Sequence, residues 1–200
     1  MDENDDVERN KRLAPVRKLV LAINVSLDGF ADHTVAIADD ELHEFFAHLL
    51  DKTDIAIFGR VTYQLMADYW PHAHEDPTST KGELEFADKF NAIPKIVFSR
   101  TLREAKWNNT RLVKDNMVEE VIRLKQQTGK SISLGGISIA QEFMRRGLID
   151  EYWLAVHPVF CGKGRLLFDG LNERIGLKLV DTKVFESGVV VLHYFKDNKK

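Results

Sequence analysis

The chain reads as an α/β protein: a three-layer α/β/α arrangement around a mixed, mainly parallel sheet, with an antiparallel C-terminal hairpin. Three observations predict this class. Short apolar runs of strand length alternate with segments of helical period along most of the chain. The last two such runs follow one another with only a turn between them. The first run, residues 18–25 (KLVLAINV), is apolar almost without interruption, as expected of a strand covered on both faces.

The elements follow in order. Leu42, Phe45, Phe46, Leu49 and Leu50 recur at the spacing of one helix face, with Asp39 or Asp40 available as its cap. Residues 54–58 (DIAIF) form the next strand and 60–66 the helix after it. The stretch 71–82 (PHAHEDPTSTKG) carries two prolines and no periodic apolar residue, which predicts a long surface loop. Residues 83–91 read as helix and 95–99 (KIVFS) as strand. Asn116 with Glu119 has the spacing of a capping box, and Met117, Val121 and Leu124 carry that helix towards Gly129. It feeds strand 131–134 (SISL), then helix 137–146 closed by Gly147, then strand 151–156 (EYWLAV). Residues 177–185 and 189–195 flank Glu186-Ser187-Gly188 as the hairpin.

With 200 residues the chain fits one domain, long enough to bury roughly 70% of its unfolded surface without disulfides. The charged opening (MDENDDVERNKR) and the closing KDNKK predict tails at 1–16 and 197–200 around a domain at 17–196. A net charge of −3, from 28 basic and 31 acidic residues, argues against a general nucleic-acid binder. The single Cys161 makes no intrachain bridge, and no apolar run reaches the ~18 residues of a membrane span. A soluble cytoplasmic protein without a membrane partner is expected. His72 and His74, with Glu75 and Asp76, sit in the proline-rich stretch and read as solvated surface, so no metal is assigned.

Three turns carry the chemistry. Gly59-Arg60-Val61-Thr62 joins a strand to a helix: the glycine allows close backbone approach, the arginine offers a planar fork of donors, and the threonine hydroxyl stands at the helix start. Such a start presents unpaired N–H groups that suit a phosphate, although a tight turn with an exposed arginine has the same sequence. Ser99-Arg100-Thr101 follows a strand with two hydroxyls and a guanidinium, the equipment for an adenosine 2′-phosphate or for an ordinary polar loop. Gly135-Gly136 lies between strand and helix, where paired glycines press backbone against a ligand or form a flexible turn. The segment 162–165 (GKGR) is not a triphosphate-binding loop.

Taken in order, SLDGF (26–30), FGRVTY (58–63), PKIVFSRTL (94–102), SLGG (133–136) and GLIDEYWLAVHPVFCGKGRLLF (147–168) resemble the dihydrofolate reductase-like superfamily. They are most similar to the C-terminal reductase domain of the bifunctional riboflavin-biosynthesis deaminase/reductase and its stand-alone relatives. The resemblance covers about residues 17–196. It implies NADPH as cofactor, a small-molecule substrate and a homodimer. Gly59, Arg60 and Thr62 match the turn that holds cofactor phosphates, and Ser99 and Arg100 the loop that receives the 2′-phosphate. Gly135 and Gly136 match the diglycine against the cofactor, and Ile139 and Ala140 follow it. Asn24 would lie near the nicotinamide carboxamide, and Asp28 with Gly29 would begin the loop over the cleft.

The substrate side departs from the pattern. Dihydrofolate reductase itself places a carboxylate at the start of its first helix; here Asp40 is the nearest candidate, with Asp39 and Glu41 beside it, and the tryptophan-containing stretch that usually precedes the carboxylate is missing. Reduction of a phosphorylated ribosylaminopyrimidine, the riboflavin-pathway reaction, needs a phosphate site, for which Lys163 and Arg165 are candidates. True dihydrofolate reduction and a non-catalytic nucleotide-binding dimer are the alternatives. The apolar C-terminal ribbon is expected to be covered by a second copy of the chain.

Overall fold

A computed structural model describes residues 17–31, 35–36 and 39–197. The expected tails fall outside these residues, apart from Asp197, whose amide donates to the Gly176 carbonyl at 2.8 Å. Eight strands form one sheet: β1 (Leu19–Ser26), β2 (Thr53–Gly59), β3 (Lys95–Phe98), β4 (Thr110–Val113), β5 (Ser131–Gly135), β6 (Glu151–His157), β7 (Leu177–Val184) and β8 (Val190–Lys196). Their order is β4-β3-β2-β5-β1-β6-β8-β7. All pairs from β4 to β6 are parallel, and β8 joins both β6 and β7 antiparallel, so the sheet is mixed and mostly parallel as expected.

Five helices cover it: α1 (Asp40–Leu50), α2 (Arg60–Tyr69), α3 (Lys81–Ala92), α4 (Met117–Lys125) and α5 (Ile137–Arg145). Successive strand residues point to opposite faces, which divides the core in two. On one face Leu19, Leu21, Ile57, Ile96, Ile132 and Leu134 pack with Val121 and Leu124 of α4 and Ile139 and Phe143 of α5. On the other, Ala56, Phe58 and Val97 pack with Leu50, Tyr63, Phe90 and Trp107. Further along that second face, Leu42 and Phe45 of α1 meet Ala155, Val191 and Phe185.

Three local expectations need correction. The stretch expected to be a loop opens as a 3-10 helix, Trp70–Glu75, with Pro71 in its first turn, where its missing N–H costs nothing. The following helix starts at Lys81 rather than residue 83, because Thr80 and Glu83 form a true capping box. At α4, Asn116 takes a left-handed conformation (φ 55°) and its side chain makes no cap bond; Glu119 and Glu120 supply negative charge to the first turn instead. Strand β4 went unpredicted because it is only four residues long; it is held by parallel pairing to β3.

Candidate active site

The first and third sequence turns meet. Gly59 caps α2 and Gly136 caps α5, and neither helix has a side-chain cap or an acidic residue in its first turn. A Cβ on Gly136 would stand 2.8 Å from Thr62 Oγ1 and 3.6 Å from the Gly59 nitrogen, and Gly136 sits at φ 109°. Glycine is therefore required by conformation as well as by space. Gly135 is equally confined, since a Cβ there would fall 2.6 Å from the Phe58 ring. Two bare helix starts thus lie side by side, each presenting N–H groups that no side chain satisfies.

The other predicted cofactor residues divide. Arg60 is exposed beside this junction and bonds Gln64 at 2.8 Å. Ser99 Oγ accepts from the amides of Thr101 and Leu102, closing its own turn. Arg100 reaches Asp115 at 3.2 Å. A second, shallower cleft runs between α2 and residues 101–108, lined by Arg60, Thr101 and Arg103 but not by Ser99 or Arg100. Ile139 and Ala140 are buried in the core, and Ile139 packs within 3.3 Å of where a Gly59 Cβ would be, so both support the junction from behind.

Beside the junction opens a trough of about 1020 Å³. Its floor is made of β1 and β5, and the reason for the space is side-chain size. The residues facing it are Val20, Ala22 and Asn24 on β1 and Ser131, Ser133 and Gly135 on β5. The opposite face of the same strands carries Leu19, Leu21, Ile132 and Leu134, all fully buried or nearly so. Helix α1 roofs the trough with Leu42, His43, Phe46 and Leu49. It rests on β6 and β8 and on α3, and so bridges the small residues instead of pressing onto them. Phe58, Met66, Trp70, Phe86 and Phe90 form the side wall.

At the Gly135 end of the trough the polar groups are few, whereas charged residues gather at the other end. Asn24 Oδ1 lies 3.0 Å from Nε2 of His157, which is fully buried and held below the usual imidazole pKa by that burial. Asp39 lines the trough; its Oδ1 accepts the Leu42 amide at 3.0 Å and its Oδ2 the Ser187 hydroxyl, which ties the start of α1 to the β7–β8 turn. Asp40, the catalytic candidate from sequence, is exposed outside the trough. The Thr80 hydroxyl and the Gly82 amide, at 2.8 Å from Oδ1, hold its carboxyl below the ordinary range and fasten α1 to α3. One position along a helix start rotates a side chain by ~100°, and this separates the carboxylate in the cleft from the one outside it.

Asp28 is a latch. The Ser26 hydroxyl, with the Gly162 and Cys161 amides, holds its carboxyl down at about 2, so it pins the 161–165 turn onto the end of β1. Lys163 is exposed, and Arg165 bonds Ser138 Oγ in the first turn of α5 at 2.8 Å; neither lines the trough. His72 and His74 pair with Glu75 and Asp88 on the surface. Among the described residues no group of three or more His, Cys, Asp or Glu side chains converges as a metal site. No described helix is long and apolar enough to cross a membrane.

The model of the RibD C-terminal domain matches residues 17–191. The chain belongs to the RibD C-terminal domain family. Within reach of that family, it is 38% identical over 184 residues to the uncharacterized protein YyaP of Bacillus subtilis (strain 168), covering 89% of this chain and 94% of YyaP. Among solved structures, a putative riboflavin biosynthesis protein from Shewanella sp. PV-4 superimposes with a TM-score of 0.69 at 21% identity, covering 90% and 99% of the two chains. Dihydrofolate reductase from Enterococcus faecalis, complexed with NADP(H), superimposes at 0.61 and 14% identity over 90% and 97%. These structural likenesses establish a dihydrofolate reductase-like fold for this member of the RibD C-terminal domain family.

What the sequence did not reveal is the trough. Its signal was present as size alternation, L-V-L-A-I-N and S-I-S-L-G, large residues to one face and small to the other. Read only for hydrophobicity, the first run looked covered on both faces.

Proposed function

We propose that the protein is an NADPH-dependent reductase of the riboflavin-biosynthesis reductase type, transferring hydride to a small pyrimidine- or pterin-like substrate. The observation that carries this is the meeting of two uncapped helix starts directly beside Phe58 and Gly135, which line the trough. An anionic diphosphate suits N–H groups left without caps or competing carboxylates, so the residues present fit the cofactor. Gly59, Thr62, Gly135 and Gly136 would hold it, with Arg60 beside them. When bound, it supplies the hydride.

The chain's own residues then have limited tasks. The aromatic and aliphatic walls of the trough exclude water and favour a flat ring. Asp39, fixed by the Leu42 amide and the Ser187 hydroxyl, is placed to accept an N–H from such a ring, which also keeps dihydrofolate in play as substrate. Asn24, steadied by His157, offers an amide at the same end. The proton comes from water at the trough mouth. Titration with NADPH and NADH, then oxidation assays with dihydrofolate and with a phosphorylated ribosylaminopyrimidine, test the reading; no NADPH binding at millimolar concentration overturns it.

A homodimer belongs to the same proposal. Strand β7 ends the sheet with all eight residues exposed, including Leu179, Val180 and Val184. An edge strand of that length with exposed Leu177, Leu179, Val180 and Val184 favours a second copy as its cover. Light scattering that gives a monomer at micromolar concentration rejects it.

A further inference from the structure

Asn24 brings an amide to the trough floor, and an amide has two unlike ends, an oxygen that only accepts and a nitrogen that only donates. Which end faces a ligand decides what this part of the floor can bind. Strand pairing sets the neighbour that makes the choice. β1 and β6 run parallel with Asn24 opposite Ala155 and Ser26 opposite His157, so Asn24 and His157 stand diagonally on one face of adjacent strands.

His157 is held by more than this contact. Its ring is fully buried, its carbonyl accepts the Val159 amide at 2.8 Å, and Pro158 confines its backbone to the extended form in which β6 ends. Asn24 Oδ1 lies 3.0 Å from its Nε2. A carbonyl oxygen has no proton to give, so Nε2 carries the proton and the imidazole is the donor. Burial outweighs the field of the Asp39 carboxylate and keeps the ring neutral, which leaves Nδ1 without a proton. The other end of the amide is thereby committed, because Asn24 Nδ2 donates to no described residue and its side chain borders the trough.

We infer that His157 is a positioning residue: by donating to Asn24 Oδ1 it holds the amide with its N–H groups toward the trough. This end of the cleft then takes an acceptor atom, a carbonyl oxygen of the bound cofactor or of the substrate, and rejects a donor. The identity of that ligand rests on the reductase reading above; the state of the imidazole does not.

The imidazole is therefore tested first, in the free full-length chain. Long-range nitrogen-15 to proton correlation spectra, with the ring signals that shift in Asn24→Ala identifying His157, should show a protonated Nε2 and a bare Nδ1. The opposite tautomer overturns the inference, whatever the protein binds. Titrations then test the polarity, with NADPH on the free protein and dihydrofolate on the protein saturated with NADP+. Asn24→Ala should weaken one of the two about tenfold, the scale of one hydrogen bond, and which one it weakens tells whether the acceptor belongs to cofactor or substrate. Asn24→Asp, which turns only oxygen toward the trough, should weaken the same titration about tenfold more. His157→Leu should weaken it as well, yet add less than about twofold to the loss in Asn24→Ala, because it acts through Asn24; His157→Gln, whose amide still donates, should recover most of the affinity. Asn24→Asp binding as tightly as Asn24→Ala, no loss in either titration, or a His157→Leu loss that adds in full overturns the inference. Should His157→Leu not fold, the tautomer and the comparison of Asn24→Asp with Asn24→Ala decide it. A wild type that binds no NADPH removes the reductase reading, and the tautomer alone then decides the role of His157.

Discussion

The two faces of β1 and β5 differ in one property, side-chain size. One face presents leucine and isoleucine to α4 and α5 and is closed; the other presents valine, alanine, asparagine, serine and glycine beneath α1 and is open. Beyond the trough the open face closes again over β2 and β3, where Phe58, Val97, Phe90 and Trp107 fill the layer. The same backbone geometry therefore serves stability on one side and space on the other. A packed interior normally leaves few voids, so a trough that runs the length of two central strands marks residues chosen for what they leave out.

Filling the trough should have the largest effect. Ala22→Phe with Ser133→Phe places bulk where nothing is displaced, so turnover should fall by roughly 100-fold or more while the melting temperature and NADPH binding hold. A large loss of stability without loss of turnover would mean that the face is packed after all. The mirror experiment is Leu21→Ala on the closed face. It should cost about 2–5 kcal/mol in urea unfolding and leave the ligand affinity of the folded protein unchanged.

At the junction of the two helix starts, Gly136→Ala meets both a positive φ and Thr62 Oγ1, so NADPH affinity should drop about tenfold, with a stability loss of about 1–3 kcal/mol. Calorimetric titration at a temperature where the variant is folded separates the two. An affinity equal to that of the wild type would remove the junction from the cofactor site.

The smallest effect lies where the open face closes. Lys95 is buried at the start of β3, its ammonium donating to the carbonyls of Ile93 at 2.7 Å and Asn91 at 3.1 Å, and burial pushes it down to about 8 from 10.5. Between those values the unfolded chain holds a proton that the folded chain has released, so stability should rise with pH across that window. Urea unfolding of the wild type relative to Lys95→Met should display the rise; a difference that stays flat from pH 8 to 10 refutes it.

Much of this architecture was legible from the sequence. Apolar runs and helix faces are local patterns, and they located every strand but β4 to within a residue or two. The meeting of Gly59, Thr62 and Gly136 was likewise readable as two strand-to-helix turns in order, because a glycine at a helix start has a local cause. Asp39 against Asp40 was not readable: both are acids in the same cap, and only the packing of α1 against α3 assigns Asp40 to the Gly82 amide and leaves Asp39 in the trough. Arg100 and Asp28 were legible as charged residues beside the cleft, but their partners, Asp115 and the 161–162 amides, come from distant segments.

The amino-acid sequence by itself determined the order of elements, the mixed sheet with its terminal hairpin, and the glycines that bring two helix starts together. These depend on periodicity and backbone conformation, which neighbours in the chain control. Only the tertiary structure decided that the small side chains of β1 and β5 share a face and that α1 spans them without filling the gap. Space is a property of what lies opposite a residue, and strand order rather than sequence distance settles that.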